Sequence, residues 1–183
     1  MIKEQKPKLV IGSPPCTYFS KLQELNKHMY RDSAKWLEQF QIRMEQAKRY
    51  VRFCTQVYEH QRKHGRFFLH EHPWLATSWS LIEIDKLLKY DDVLRVQTHM
   101  CQFGMTSRIG SVGGEVGPVK KPTGFMSNAP ELLAALDRRC FGKNGICSRP
   151  EGGRHAPCLG KAAKHAAVFQ EELCVAILKG LQN

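Results

Sequence analysis

The chain has 183 residues, 42% hydrophobic and 25% charged, ordinary proportions for a soluble globular protein, and its length suits one domain with a core of its own. No apolar run approaches the ~20 residues that a membrane span needs, and no secretory leader opens the chain, so membrane and secreted classes are set aside. Lysine and arginine number 28 against 17 aspartate and glutamate, a net charge of +11 that is heaviest in residues 1–66 and suits a polyanion such as nucleic acid. Seven cysteines, an odd number without close pairing, predict thiols kept reduced in an intracellular compartment, cytoplasm or nucleus.

In chain order, Lys8–Ile11 reads as a short buried strand that runs into Gly12-Ser13-Pro14-Pro15-Cys16-Thr17-Tyr18-Phe19-Ser20. Two prolines fix φ and remove two backbone donors, so the loop is stiff and cannot continue the strand. It holds one cysteine at a strand's carboxyl end, where open α/β sheets place their chemistry. An inert cysteine packed into a strand-to-helix connection has the same pattern. Asp32 or Ser33 caps a long helix to about His64, and Gly65 stops it. Within it Leu37, Phe40, Met44, Ala47, Val51, Cys54 and Tyr58 make one apolar stripe, which predicts packing on a sheet rather than a coiled coil.

Arg66–His70 is a second strand, closed by Glu71-His72-Pro73. Leu81–Leu88 is a helix, Val93–Thr98 and Pro122–Ser127 are strands, Ala129–Arg139 is a helix capped by Asn128, and Phe169–Leu181 is a terminal helix. The alternation predicts an α/β fold, a mostly parallel sheet with an antiparallel strand late in the chain and helices on its faces. The glycine-rich stretches Gly110–Gly117 and Gly142–Gly160 read as loops.

In a parallel sheet the first two strand ends are neighbours, so Cys16 and Glu71 can converge although far apart in the chain. An ordinary thiol is mostly protonated at neutral pH, and His70, His72 and Arg108 are candidates for the positive charge that would activate Cys16; the two histidines equally suit hydrogen-bonded partners near a turn. Trp36, Trp74 and Trp79 suit either base stacking or core packing. Cys140, Cys147, His155 and Cys158 are the right residue types for tetrahedral zinc, without a Cys-x2-Cys knuckle. The other reading of residues 140–160 is a basic, glycine-rich loop with incidental cysteines.

Gly12-x-Pro14-Pro15-Cys16-x-x-Phe19-Ser20 resembles the nucleophile loop of the DNA cytosine-5 methyltransferases, and Cys101–Arg108 with Lys120–Asn128 resembles a later segment of the same catalytic domain. The resemblance, to a phage or mobile-element-like branch, implies a Rossmann-like sheet and a flipped cytosine in DNA as substrate. It implies Cys16 as the nucleophile at C6, Glu71 as the group at N3 and the exocyclic amine, and Arg108, or else Lys121, at the base or a phosphate. Pro14, Pro15, Ser20 and His72 would line the base and backbone, and S-adenosylmethionine would give its methyl group to C5. The sequence departs from the pattern in three ways. His72 stands where the family has asparagine, the Gln-x-Arg-x-Arg spacing is absent, and the glycine-rich turn and acidic residue that hold the cofactor are missing. The expectation is therefore a single methyltransferase-like domain over 1–183, corresponding to the C-terminal part of that catalytic domain, with a homodimer or second chain completing the sheet. The alternative is a degenerate, non-catalytic nucleic-acid-binding or structural module of a mobile-element polyprotein. Leu22 excludes a tyrosine-phosphatase loop around Cys16, and a cysteine at this position favours carbon over nitrogen methylation.

Overall fold

The computed structural model describes residues 2–108, 114–158, 163 and 166–182. Its elements are α1 (Ile2–Gln5), β1 (Leu9–Gly12), α2 (Leu22–Met29), α3 (Ala34–Lys63), β2 (Phe67–Pro73), α4 (Ile82–Leu88), β3 (Leu94–His99), β4 (Thr106–Arg108), β5 (Val116–Pro118), β6 (Pro122–Ser127), α5 (Pro130–Leu136) and α6 (Glu171–Gln182). Four strands join in the order β1-β2-β6-β3, while β4 and β5 make a separate antiparallel pair. The fold is thus mixed α/β. By contact the chain divides into two compact units, Met1–Arg95 with Met126–Ala129, and Val96–Phe125 with Pro130–Asn183.

In the first unit β1 and β2 run parallel, with Leu9 opposite Phe67 and Gly12 opposite His70. α3 starts where Ser33 Oγ accepts the Trp36 N–H, so the cap falls on Ser33 rather than Asp32. The apolar stripe read from the sequence is the buried one: Phe40, Ala47, Val51 and Tyr58 are inside, with Met44 and Cys54 packed against the same core. Phe68, Trp79, Ile84, Leu87 and Met126 complete that core.

Two boundaries differ from the sequence expectation. β2 continues through Glu71 and His72 to Pro73 instead of closing at His70, because these polar side chains find buried partners and the extended backbone goes on. Asn128 does not cap α5. Its Oδ1 accepts the Phe68 N–H and its Nδ2 donates to the Arg66 carbonyl, so it serves as a ladder partner for β2, and Ser127 Oγ accepts the Ala129 N–H instead. α5 ends at Leu136 because the next carbonyls turn to other donors: the Thr98 hydroxyl donates to the Leu136 carbonyl and the His99 N–H to that of Arg138.

In the second unit α5 and α6 pack on each other through Leu132, Leu133 and Leu136 against Leu173, Ala176 and Ile177. Residues 137–158 hold no helix or strand, only an isolated antiparallel bridge between Ile146 and Arg154.

Gly12 ends β1 under the Tyr58 ring. A Cβ there would lie 1.8 Å from Tyr58 Oη and 2.8 Å from Cζ, far inside contact distance. Gly12→Ala should therefore destabilise the protein by about 1–3 kcal/mol, the usual cost of overpacking. Urea unfolding tests this, and adding Tyr58→Phe should recover part of the loss because the nearest atom is gone; an unchanged midpoint for Gly12→Ala would disprove the close approach.

Candidate functional site

The carboxyl end of β2 carries three consecutive polar residues, His70, Glu71 and His72, each almost wholly buried. Burying such groups is costly unless each is hydrogen-bonded, so their partners define what this end of the sheet is built to hold. Side chains alternate along a strand, so His70 and His72 share the face of Phe68 while Glu71 points to the other. On the first face Tyr58 stacks on Phe68 with centroids 4.6 Å apart and its hydroxyl meets His70 Nδ1 at 2.9 Å. Trp79 presents its ring edge-on to both histidines.

Because Gly12 pairs with His70, the next residues along β1 and β2 are Ser13 and Glu71. Ser13 Oγ donates to Glu71 Oε2 at 2.5 Å. One step on, His72 Nε2 donates to the Pro14 carbonyl at 3.0 Å, which fixes the proton on Nε2, and His72 Nδ1 pairs with the Ser78 hydroxyl. The Phe19 ring meets the His72 ring edge-on at 5.6 Å. Two adjacent residues of β2 thus grip the two residues of the first loop that precede Pro15 and Cys16. The ladder cannot do this itself, since Pro14 and Pro15 have no N–H to offer.

Cys16 is half-buried at the start of a single 3-10 turn, Thr17–Phe19, and its carbonyl accepts the Phe19 N–H. Pro14 is buried and Pro15 exposed. The Ser20 hydroxyl accepts the Leu22 N–H and so opens α2. Beside this turn lies a cavity of about 270 Å³ lined by Thr17, Tyr18, Trp36, Phe40 and Arg43 among others. Trp36 stacks between Tyr30 and Phe40, at 5.1 and 5.2 Å, and Trp74 carries the Arg95 guanidinium 3.8 Å above its ring.

Sequence reasoning offered His70 as a cation beside Cys16, and the structure corrects this. Full burial, with His72 adding a smaller repulsion, pulls His70 down to about 3, so it is neutral at physiological pH. Trp79 is a core residue packed on the histidines and not a stacking platform. Ser13 and Ser78 were not singled out from the sequence, and Tyr58 was read only as part of the apolar stripe; the 1:1 register of β1 on β2 and the return of α3 bring them to this site.

Arg108 and Lys121 belong to the second unit. Arg108 is exposed on β4 opposite Val116 of β5, and Lys121 Nζ donates to the Ala166 carbonyl at 3.0 Å. Residues 110–113 of the Gly110–Gly117 stretch lie outside the described residues.

The second unit also gathers Cys101, Cys140, Cys147 and His155, whose ligand atoms all lie within 4.8 Å of one another and could hold a metal ion. This corrects the sequence expectation at one position: Cys101 takes the fourth place, and Cys158 is not in the cluster. Cys101 sits in a 3-10 turn, Met100–Phe103, directly after β3, so the contact is long-range and no local spacing reveals it. Burial pushes the Cys101 thiol up to about 12. Burial also works to raise Cys140, but hydrogen bonds from Ser148 and from the Gly142 N–H outweigh it and bring that thiol down to about 6.

The buried, neutral His70 makes stability depend on pH. Its folded pKa lies below the ordinary 6.5, so the unfolded chain binds more protons between about pH 6.5 and 3, and stability rises with pH across that window. On acidification from pH 7 to 4.5 the urea midpoint should fall, with a slope of up to about 1.4 kcal/mol per pH unit from this group. His70→Gln should flatten the profile; an identical slope in that variant would remove His70 as its source.

No protein-family model, curated protein or solved structure matches the chain.

Proposed function

We propose that the carboxyl ends of β1 and β2 form a base-handling centre related in design to that of the DNA cytosine-5 methyltransferases, on a partial Rossmann-like sheet. The observation that carries this reading is the Ser13–Glu71 hydrogen bond at 2.5 Å, which ties the carboxyl group of one strand end to the Pro-Pro-Cys loop of the other. In the reaction, the Cys16 thiolate adds to C6 of cytosine while the Glu71 carboxylic acid gives its proton to N3. A neutral enamine bonded to sulfur results, with Glu71 left as carboxylate. C5 of that enamine is nucleophilic. In water it takes a proton, the original C5 hydrogen is lost to water as a proton, and return of the N3 proton to the Glu71 carboxylate with expulsion of the thiolate gives back cytosine with its C5 hydrogen exchanged.

Within this scheme Ser13 orients the carboxyl group, and His72 is a positioning residue: both its ring nitrogens are engaged, one of them on Pro14, so it holds the loop and does not shuttle the proton. Arg108 and Lys121 are proposed for the base or phosphate, by resemblance. S-adenosylmethionine would supply a methyl cation for C5, but the residues at this centre do not suit it. The turn after β1 is Ser13-Pro14-Pro15, in which two residues lack an N–H and the Pro14 carbonyl is already taken by His72. Methyl transfer therefore requires the donor to be held by a partner segment, a second chain or a second copy. For the thiol and imidazole cluster of the second unit the suited ion is zinc, in a structural role.

A second reading is a nucleic-acid-binding module without chemistry. It is favoured by the exposed basic residues of α3, Lys35, Arg43, Arg49 and Lys63.

The first of two tests needs no methyl donor. Protein incubated with DNA tritiated at cytosine C5 should release tritium to water, and DNA bearing 5-fluorocytosine with a methyl-donor-competent extract should give a denaturant-stable adduct. Cys16→Ser should abolish both, and Glu71→Gln should slow exchange by about 100-fold or more, the range of a general acid. DNA binding that falls steeply with salt, with no exchange and no effect of Cys16→Ser, would establish the second reading instead.

A further inference from the structure

We infer that Cys101, Cys140, Cys147 and His155 form a closed structural zinc centre that braces residues 137–158 of the second unit. The distances fit the ion. A tetrahedron with Zn–S of ~2.3 Å and Zn–N of ~2.0–2.1 Å has S–S edges of ~3.8 Å and S–N edges of ~3.6 Å. Cys140 Sγ lies 3.8 Å from Cys147 Sγ and 3.6 Å from His155 Nε2. The first is also far beyond the ~2.05 Å of a disulfide. Three thiolates with one imidazole select a borderline-soft cation and match tetrahedral Cys3His zinc sites.

The surroundings are those of a held ion. Three backbone segments converge: the turn after β3 brings Cys101, the segment after α5 brings Cys140, and the Ile146–Arg154 bridge places Cys147 and His155 on facing arms. On those arms the Cys147 N–H bonds to the Gly153 carbonyl and the His155 N–H to that of Gly145. The Ser148 N–H donates to Cys140 Sγ at 3.4 Å, and Gln102 Nε2 donates to both Cys101 and Cys147 Sγ at 3.6 Å, the outer contacts that steady thiolate ligands. The turn admits no side chain at Gly142, where a Cβ would fall 1.9 Å from the Ile146 carbonyl oxygen. All three thiols are buried and all four positions are filled by protein, so no coordination place is open to substrate. The centre's role is to hold a segment that has no helix or strand to hold it.

The full chain, purified reduced from zinc-supplemented medium, should carry one zinc per chain by elemental analysis. Cobalt exchanged into it should show the intense visible bands of a tetrahedral site together with thiolate charge transfer. Cys101→Ser should weaken zinc by more than about 100-fold, beyond the usual effect of losing an outer contact, whereas Cys158→Ser should keep both stoichiometry and spectrum. Should Cys101→Ser fail to fold, Cys101→His keeps a ligand in place, and its cobalt spectrum should retain tetrahedral bands with reduced charge transfer. Substoichiometric zinc, iron in its place, a Cys140–Cys147 disulfide by thiol titration, or loss of zinc in Cys158→Ser with retention in Cys101→Ser would each overturn the assignment. Cytosine C5 exchange depends on Cys16 and not on this ion, so failure of either proposal leaves the other standing.

Discussion

The parallel pairing of β1 with β2, fastened at its carboxyl end by side chains, is the constraint on which the first unit rests. The ladder stops at Gly12 because the next residues include two prolines, and a strand end without donors would normally fray. Here β2 reaches across instead. Glu71 takes the Ser13 hydroxyl and His72 gives its Nε2 proton to the Pro14 carbonyl, so the loop bearing Cys16 is held from the neighbouring strand. That grip explains how Glu71 and His72 can be buried, each with a partner that the pairing brings within reach, whereas His70 bonds Tyr58 through Nδ1 and buries its Nε2 without a hydrogen-bond partner among the described residues.

The opposite face of the same strand shows the packing side of this arrangement. Tyr58 comes back from α3 to stack on Phe68, bond His70 and fill the space over Gly12 that any side chain would need. Helix, strand and loop are thereby locked through one hydroxyl. A neutral His70 fits this role, since a buried imidazolium between Tyr58, Trp79 and His72 would have no counter-charge. The second unit meets a different problem. Its helices α5 and α6 bury leucines in the ordinary way, but residues 137–158 hold no helix or strand, and small regions of that kind draw their stability from cross-links or metal ions more than from a core.

Much of the element order was legible because it depends on local periodicity and caps. The 3-4 stripe from Phe40 to Tyr58 and the Ser33 cap gave α3 almost to the residue, and Pro122–Ser127 is the strand it reads as. The short elements α2, β4 and β5 were not legible, since eight residues with an exposed apolar face and three-residue strands carry too little pattern. Asn128 shows a subtler failure. Asparagine before a helix is a good cap, yet the gap in the β2 ladder was the stronger claim on its amide, and nothing local to residue 128 records that gap.

By itself the sequence determined a stiff loop presenting Cys16, a strand ending in histidines and a glutamate, and a cysteine-rich segment suited to a metal, because each is fixed by residue type and near-neighbour spacing. Only the tertiary structure decided which atoms meet. Strand register set Ser13 on Glu71 and Pro14 on His72, burial removed the charge from His70, and a turn after β3 brought Cys101 to the other thiols in place of Cys158. Contacts between residues distant in the chain are chosen by packing and by the need to satisfy buried polar groups, and neither quantity is written in any single stretch of sequence.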